Sequence, residues 1–136
     1  MRIASVARAK VLRGLAVALA MVVTPSLGVA ADIAGSWTGS GSIMMPSGAR
    51  ENARCNVSYS KAAGAGYTAF ATCATKSTRV TQSAKLRRVG GNEYEGSFHN
   101  SEYNVSGSMS VTVTGKSQSV YLSGGGGQAQ FKLSRR

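Results

Sequence analysis

Reactive chemistry has few places to reside in this chain. Its 136 residues hold one histidine, two cysteines and five acidic side chains. A four-ligand zinc site of the common kind needs more Cys and His than His99, Cys55 and Cys73 supply. His99 and Glu102 flank Asn100-Ser101, and a tight turn there would set them face to face across the outer side of a hairpin. A carboxylate beside an imidazole can orient it and raise its pKa. Catalysis also needs a nucleophile, an oxyanion site and a pocket, so the pair reads as a solvated cross-strand contact. Glu93 and Glu95 lie on the polar side of one strand, whereas paired-carboxylate hydrolysis requires opposed groups across a cleft. Gly124–Gly127 is followed by neither a helix nor Lys-Ser/Thr, as a phosphate loop demands; it reads as a four-residue hairpin tip. The expectation is a non-catalytic protein with no catalytic residue, no metal and no cofactor.

Charge must be divided between the chain and its leader. The formal net charge is +11, from 16 basic and 5 acidic residues. Arg2, Arg8, Lys10 and Arg13 precede the apolar run Leu15–Val23, and Thr24-Pro25-Ser26 breaks it ahead of the small residues Val29-Ala30-Ala31. This is the order of a secretory signal peptide over residues 1–31. The run has about half of the ~20 residues that span a bilayer, which speaks against a membrane anchor. Cleavage near Ala31 takes 31 of 136 residues and leaves a single domain over 32–136, with 12 basic and 5 acidic residues and a charge of +7. The address is periplasmic or extracellular. In such an oxidising compartment Cys55 and Cys73 pair most simply as a disulfide. Closing a loop of about 18 residues, it contributes roughly 3 kcal/mol in the chain-entropy model.

The elements that must position these residues are strands. From Gly35 onward the apolar period is two. Trp37, Ile43 and Met45 share one parity; so do Ala53, Cys55, Val57 and Tyr59, and later Tyr67, Ala69, Ala71 and Cys73. Val105, Met109, Val111 and Val113 alternate with a Ser/Thr file from Ser106 to Thr114. Eight candidate strands and no helix result. Turn length sets register. Gly115-Lys116 places Val111 opposite Val120; the Gly124–Gly127 loop places Leu122 opposite Ala129; Gly90-Gly91-Asn92 places Ala84 opposite Phe98. A hairpin centred on Gly64 sets Cys55 opposite Cys73, and Asn100-Ser101 sets Phe98 opposite Tyr103 and Gly96 opposite Val105. Gly39 and Gly41, inside the first strand, would permit a bulge or close packing over Trp37. Successive hairpins with one apolar face each suit an all-β, eight-stranded antiparallel up-and-down barrel, which leaves no sheet edge. A β-sandwich is the alternative. At about 100 residues such a domain is small enough for the disulfide to matter.

Gly35-Ser36-Trp37, opening the first strand, resembles the Gly-x-Trp start of lipocalin-like and avidin-like barrels, a likeness that implies Trp37 as the plug of one barrel end. With Cys55 and Cys73 on the second and third strands, the layout is similar to the small periplasmic inhibitors of bacterial metalloproteases. That likeness covers about forty residues and implies an eight-stranded barrel that blocks a secreted protease with an N-terminal arm. Here only Asp32, Ile33 and Ala34 stand between the expected cleavage and Gly35. The chain is also similar to small secreted proteins of Gram-negative bacteria, which implies fold and address.

Lys76, Arg79, Lys85, Arg87 and Arg88 gather on one hairpin and form a candidate contact for an anionic envelope surface. No aromatic residues interleave with them as a nucleic-acid stacking platform requires, so nucleic acid is not an expected partner. The Ser/Thr/Lys-rich outer faces argue against a membrane-spanning barrel. Asn56-Val-Ser58 and Asn104-Val-Ser106 match the glycosylation sequon, but both fall within predicted strands and are set aside. The functional expectation is an exported binding protein of unspecified ligand, with a periplasmic metalloprotease inhibitor and a structural envelope-associated protein as alternatives. Whether Trp37, Tyr94, Phe98 and Phe131 fill the barrel decides whether a ligand can enter it.

Overall fold

The computed structural model describes residues 32–136; the leader expected over residues 1–31 lies outside the described residues. Eight strands follow one another: β1 Gly35–Met44, β2 Arg50–Lys61, β3 Gly66–Ala74, β4 Arg79–Arg88, β5 Glu93–Asn100, β6 Val105–Thr114, β7 Ser117–Gly124 and β8 Gly127–Arg135. Each pairs antiparallel with its neighbours in sequence, and β1 pairs with β8, which closes the barrel. The sandwich alternative falls away with that closure. The period-two pattern decides which side chains enter: along β2, Ala53, Cys55, Val57 and Tyr59 are buried while the residues between them are exposed. The hydrophobic core is the barrel interior.

Most expected registers hold. Val111 faces Val120, Leu122 faces Ala129, Ala84 faces Phe98, and Cys55 faces Cys73. The Cys55–Cys73 disulfide is present, with Cα atoms 4.1 Å apart on neighbouring strands. Two turns differ from expectation. Gly124 and Gly127 belong to the ladder and pair with each other, so the turn is Gly125-Gly126 and not a four-residue loop. Both turn residues have positive φ, 61° and 84°, which glycine adopts without steric cost. Between β5 and β6 the turn is Ser101–Asn104, so Phe98 faces Gly107 and Gly96 faces Met109, not Tyr103 and Val105. Two local features set it: Asn100 Oδ1 accepts the Tyr103 N–H at 3.1 Å, and Asn104 takes a left-handed φ of 51°. Asn side chains favour both devices. The slip is even-numbered, so the inward faces survive it.

That turn separates His99 from Glu102. His99 faces Ser106, whose hydroxyl lies 2.8 Å from Nδ1, and Glu102 sits in the turn itself. Asn104 likewise lies in the turn and not in a strand, while Asn56 is in β2.

No bulge interrupts β1 at Gly39 or Gly41. Gly41 serves close approach instead: a Cβ there would come within 1.8 Å of the Gln130 carbonyl oxygen on β8. Closure of the barrel therefore depends on a residue without a side chain at that position.

Candidate functional site

The two ends of the barrel are built from different materials. At one end lie the starts of β1, β3, β5 and β7, and Trp37 is fully buried there. Its indole N–H donates to the Ile33 carbonyl at 2.9 Å, which folds the residues ahead of β1 across the opening. Ile33 and Tyr94 are also 0% exposed. Arg135, at the end of β8, lays its guanidinium 4.5 Å from the centre of the Trp37 ring. The same guanidinium donates to the carbonyls of Asp32 and Ala34. Tyr94 meets Tyr67 edge-on at 5.4 Å, and its hydroxyl accepts from Arg88 at 2.6 Å. Trp37 is thus buried among these residues at this end of the barrel. Asp32 is held below the usual carboxylate range, first by the Ala34 N–H, against the opposing effect of burial, and further by Lys61 3.0 Å away.

The other end is open. Its rim comprises the connection from β1 to β2, Thr75–Thr78 and Ser101–Asn104, with the Gly125-Gly126 turn. Behind the rim lies a cavity of about 460 Å³, within the roughly 300–1,000 Å³ typical of small-molecule sites. Its wall is mostly apolar: Val57, Ala69, Val80, Met109, Leu122 and Phe131 are among its residues. The disulfide forms part of this wall. Phe98 and Phe131 line the space, whereas Trp37 and Tyr94 do not reach it; the four aromatic residues therefore divide between a filled half and a hollow half.

The floor carries a polar pair. Tyr59 lines the cavity and donates its hydroxyl to Gln118 Oε1 at 2.7 Å. Burial pushes the Tyr59 phenol well above its ordinary pKa, so it remains a neutral donor. Gln118 is 2% exposed and its Nε2 has no hydrogen-bond partner. At the mouth, Glu51 accepts from the Ser77 hydroxyl at 2.8 Å, and the Tyr103 hydroxyl lies 3.4 Å from that of Thr78.

The sequence-level candidates fall in two places. Cys55, Cys73 and Trp37 are interior, at the wall and the sealed end. The basic group is exterior: Arg79, Lys85 and Arg87 point outward along β4, Lys76 stands on the rim loop, and Arg88 is engaged with Tyr94. Gln118 and Arg135 were not singled out in advance. Their parity with Val120 and Leu133 was the available signal, since each continues an inward file by one more step. Among the described residues no group of three His, Cys, Asp or Glu could hold a metal ion. No described helix is long and apolar enough to cross a membrane.

The fold and the cavity define a class: closed, eight-stranded antiparallel β-barrels with an internal cavity. No protein-family model and no curated protein matches the chain. Among solved structures it is similar to the redesigned β-barrel mFAP1 bound to DFHBI, with a TM-score of 0.64 at 11% identity over 79% of this chain and 98% of that one. It is also similar to a de novo designed fluorescence-activating β-barrel, with a TM-score of 0.59 at 13% identity over 76% of this chain and 93% of that one. At these identities the likeness is one of fold. It carries the barrel and does not extend to the lipocalin or protease-inhibitor families.

Proposed function

We propose that this is an exported, non-catalytic binding protein that takes a small, largely apolar molecule into the open half of its barrel. The observation that carries the reading is the 460 Å³ apolar cavity beside a fully packed end. A void of that size is costly for a domain of this length, because lining atoms lose their packing partners. A ligand restores those contacts. The designed neighbours, of which mFAP1 is bound to DFHBI, are in keeping with small-molecule binding in such a barrel. The leader over residues 1–31 and the disulfide support the exported address.

Titration of the purified protein with the neutral fluorescent probe N-phenyl-1-naphthylamine tests the reading. Saturable fluorescence enhancement is expected, with an apparent Kd in the micromolar range or below. Ala71→Phe, which directs bulk from the wall into the cavity, should weaken it at least tenfold. An absence of saturable binding, or binding that Ala71→Phe leaves unchanged, overturns it.

The inhibitor alternative gains no support from the described residues ahead of β1. Ile33 is buried and Asp32 is paired with Lys61, so Asp32–Ala34 lie against the barrel and do not project from it. Envelope attachment has one observation in its favour, the outward row Arg79, Lys85 and Arg87 on β4. It requires co-sedimentation with anionic vesicles at low salt and release at high salt; failure to co-sediment would remove it.

A further inference from the structure

We infer that the cavity takes uncharged apolar molecules and turns away their carboxylate counterparts, with Glu51 at the mouth as the residue that sets the discrimination. The inference rests on the ligand-binding reading above and goes further, to the charge of the ligand's polar end.

The chain is strongly basic, yet its cavity is not. Among the described residues no Lys or Arg lines it, and the one lining residue that ordinarily carries a charge at neutral pH is Glu51. A carboxylate drawn inside would give up its water without gaining a cation, and an unpaired buried charge is expensive. The polar groups within reach are neutral: the amides of Gln82, Asn100 and Gln128 and the Tyr103 hydroxyl in the lining, and the unpartnered Gln118 Nε2 at the floor, where the Tyr59 hydroxyl is committed to Gln118 Oε1. They can donate hydrogen bonds but bring no positive charge to balance a carboxylate. A carboxylate that stopped at the mouth would meet Glu51, held there by the Ser77 hydroxyl at 2.8 Å. Like charges at such short range repel even where water screens them. The basic residues at this end, Arg50, Lys76 and Arg79, are exposed and lie outside the cavity lining. Their attraction for an anion acts through solvent and is damped over about 8 Å at physiological salt. An alcohol or other neutral head group incurs neither cost. It stays hydrated at the rim while its apolar part occupies the wall of Val57, Ala69, Leu122 and Phe131.

The test is displacement of N-phenyl-1-naphthylamine by 1-decanol and by decanoate, at pH 8 and 0.15 M salt. Decanol should displace the probe, and decanoate should require about tenfold more or higher. Glu51→Gln, which keeps an acceptor for Ser77, should narrow the gap several-fold, read as the ratio of decanoate to decanol needed for displacement within the same variant. Glu51→Lys should narrow it further. Circular dichroism of both variants establishes that the barrel is retained. Decanoate displacing as well as decanol from the unaltered protein overturns the inference, as does a gap that neither variant moves. In both of those outcomes the cavity still binds, so the ligand-binding reading stands. If neither the probe nor decanol binds, that reading falls and the charge discrimination falls with it.

Discussion

The sealed and open ends of this barrel share strands, register and alternation, and differ in what the inward positions hold. At the sealed end they carry Trp37, Tyr94 and Gln118, with Ile33 folded over them. Toward the open end the inward file includes Ala69, Ala71 and Ala84, and β1 contributes Gly41. Eight strands enclose an interior that side chains can just fill. Large residues fill it and small ones leave it hollow. One fold thus provides a packed base and a hollow mouth, and the distribution of side-chain volume along the barrel axis separates the two.

The sharpest way to break this comparison is to truncate one aromatic residue at each end. Trp37→Ala should cost about 3–5 kcal/mol in urea unfolding, the range for a large buried aromatic residue. Phe131→Ala should cost clearly less, because its ring already borders a cavity and has fewer atoms to lose. Equal costs would show that the two ends are packed alike. Next in size is the staple. Replacing both Cys55 and Cys73 with serine should lower stability by roughly 3 kcal/mol, a smaller value indicating a compact reduced state. Thermal unfolding with and without reductant gives an independent measure.

The polar pair at the boundary between the halves follows. Tyr59→Phe alone should destabilise by about 1–3 kcal/mol, since it strips Gln118 of its hydrogen bond and leaves the amide buried. Adding Gln118→Leu should recover much of that loss, because removing both partners leaves no unpaired group. A double variant no better than the single would assign the loss to packing. The smallest effect belongs to Asp32 and Lys61 on the outside of the sealed end. Asp32 is held below its unfolded pKa, so its contribution is present above about pH 4 and is lost as the pH falls through the folded value. Lys61 is raised by the same pairing, so its contribution is present below about pH 10 and is lost as the pH rises through the folded value. Both groups are exposed to solvent and screened. Lys61→Ala should leave the unfolding midpoint at pH 7 within measurement error; a clear drop would show that the clasp over Trp37 depends on this pair.

How much could be read in advance depends on how local the cause is. Where a glycine turn joins two alternating strands, the chain carries the whole instruction within a dozen residues, and Val111 meets Val120 as expected. The β5–β6 register is less legible, because it turns on how Asn100 folds back to Tyr103 and on Asn104 entering the left-handed region. Neither appears in the alternation. Misplacing that turn also misplaced Glu102 beside His99, an error about a candidate site that came from two residues of loop.

By itself, the sequence determined the strands, their inward faces, most hairpin registers and the opposition of Cys55 to Cys73. These follow from alternation and turn geometry, which are nearest-neighbour properties of a chain. Closure between β1 and β8, which sets Trp37 beside Arg135, was decided by the tertiary structure, because accumulated strand tilt and stagger are needed to bring residues so distant in sequence together. Tertiary structure also decided which aromatic residues plug the barrel and which line its cavity. Height along the axis is a property of the closed barrel and not of any one strand, and at the height of Phe98 and Phe131 it left a cavity of about 460 Å³.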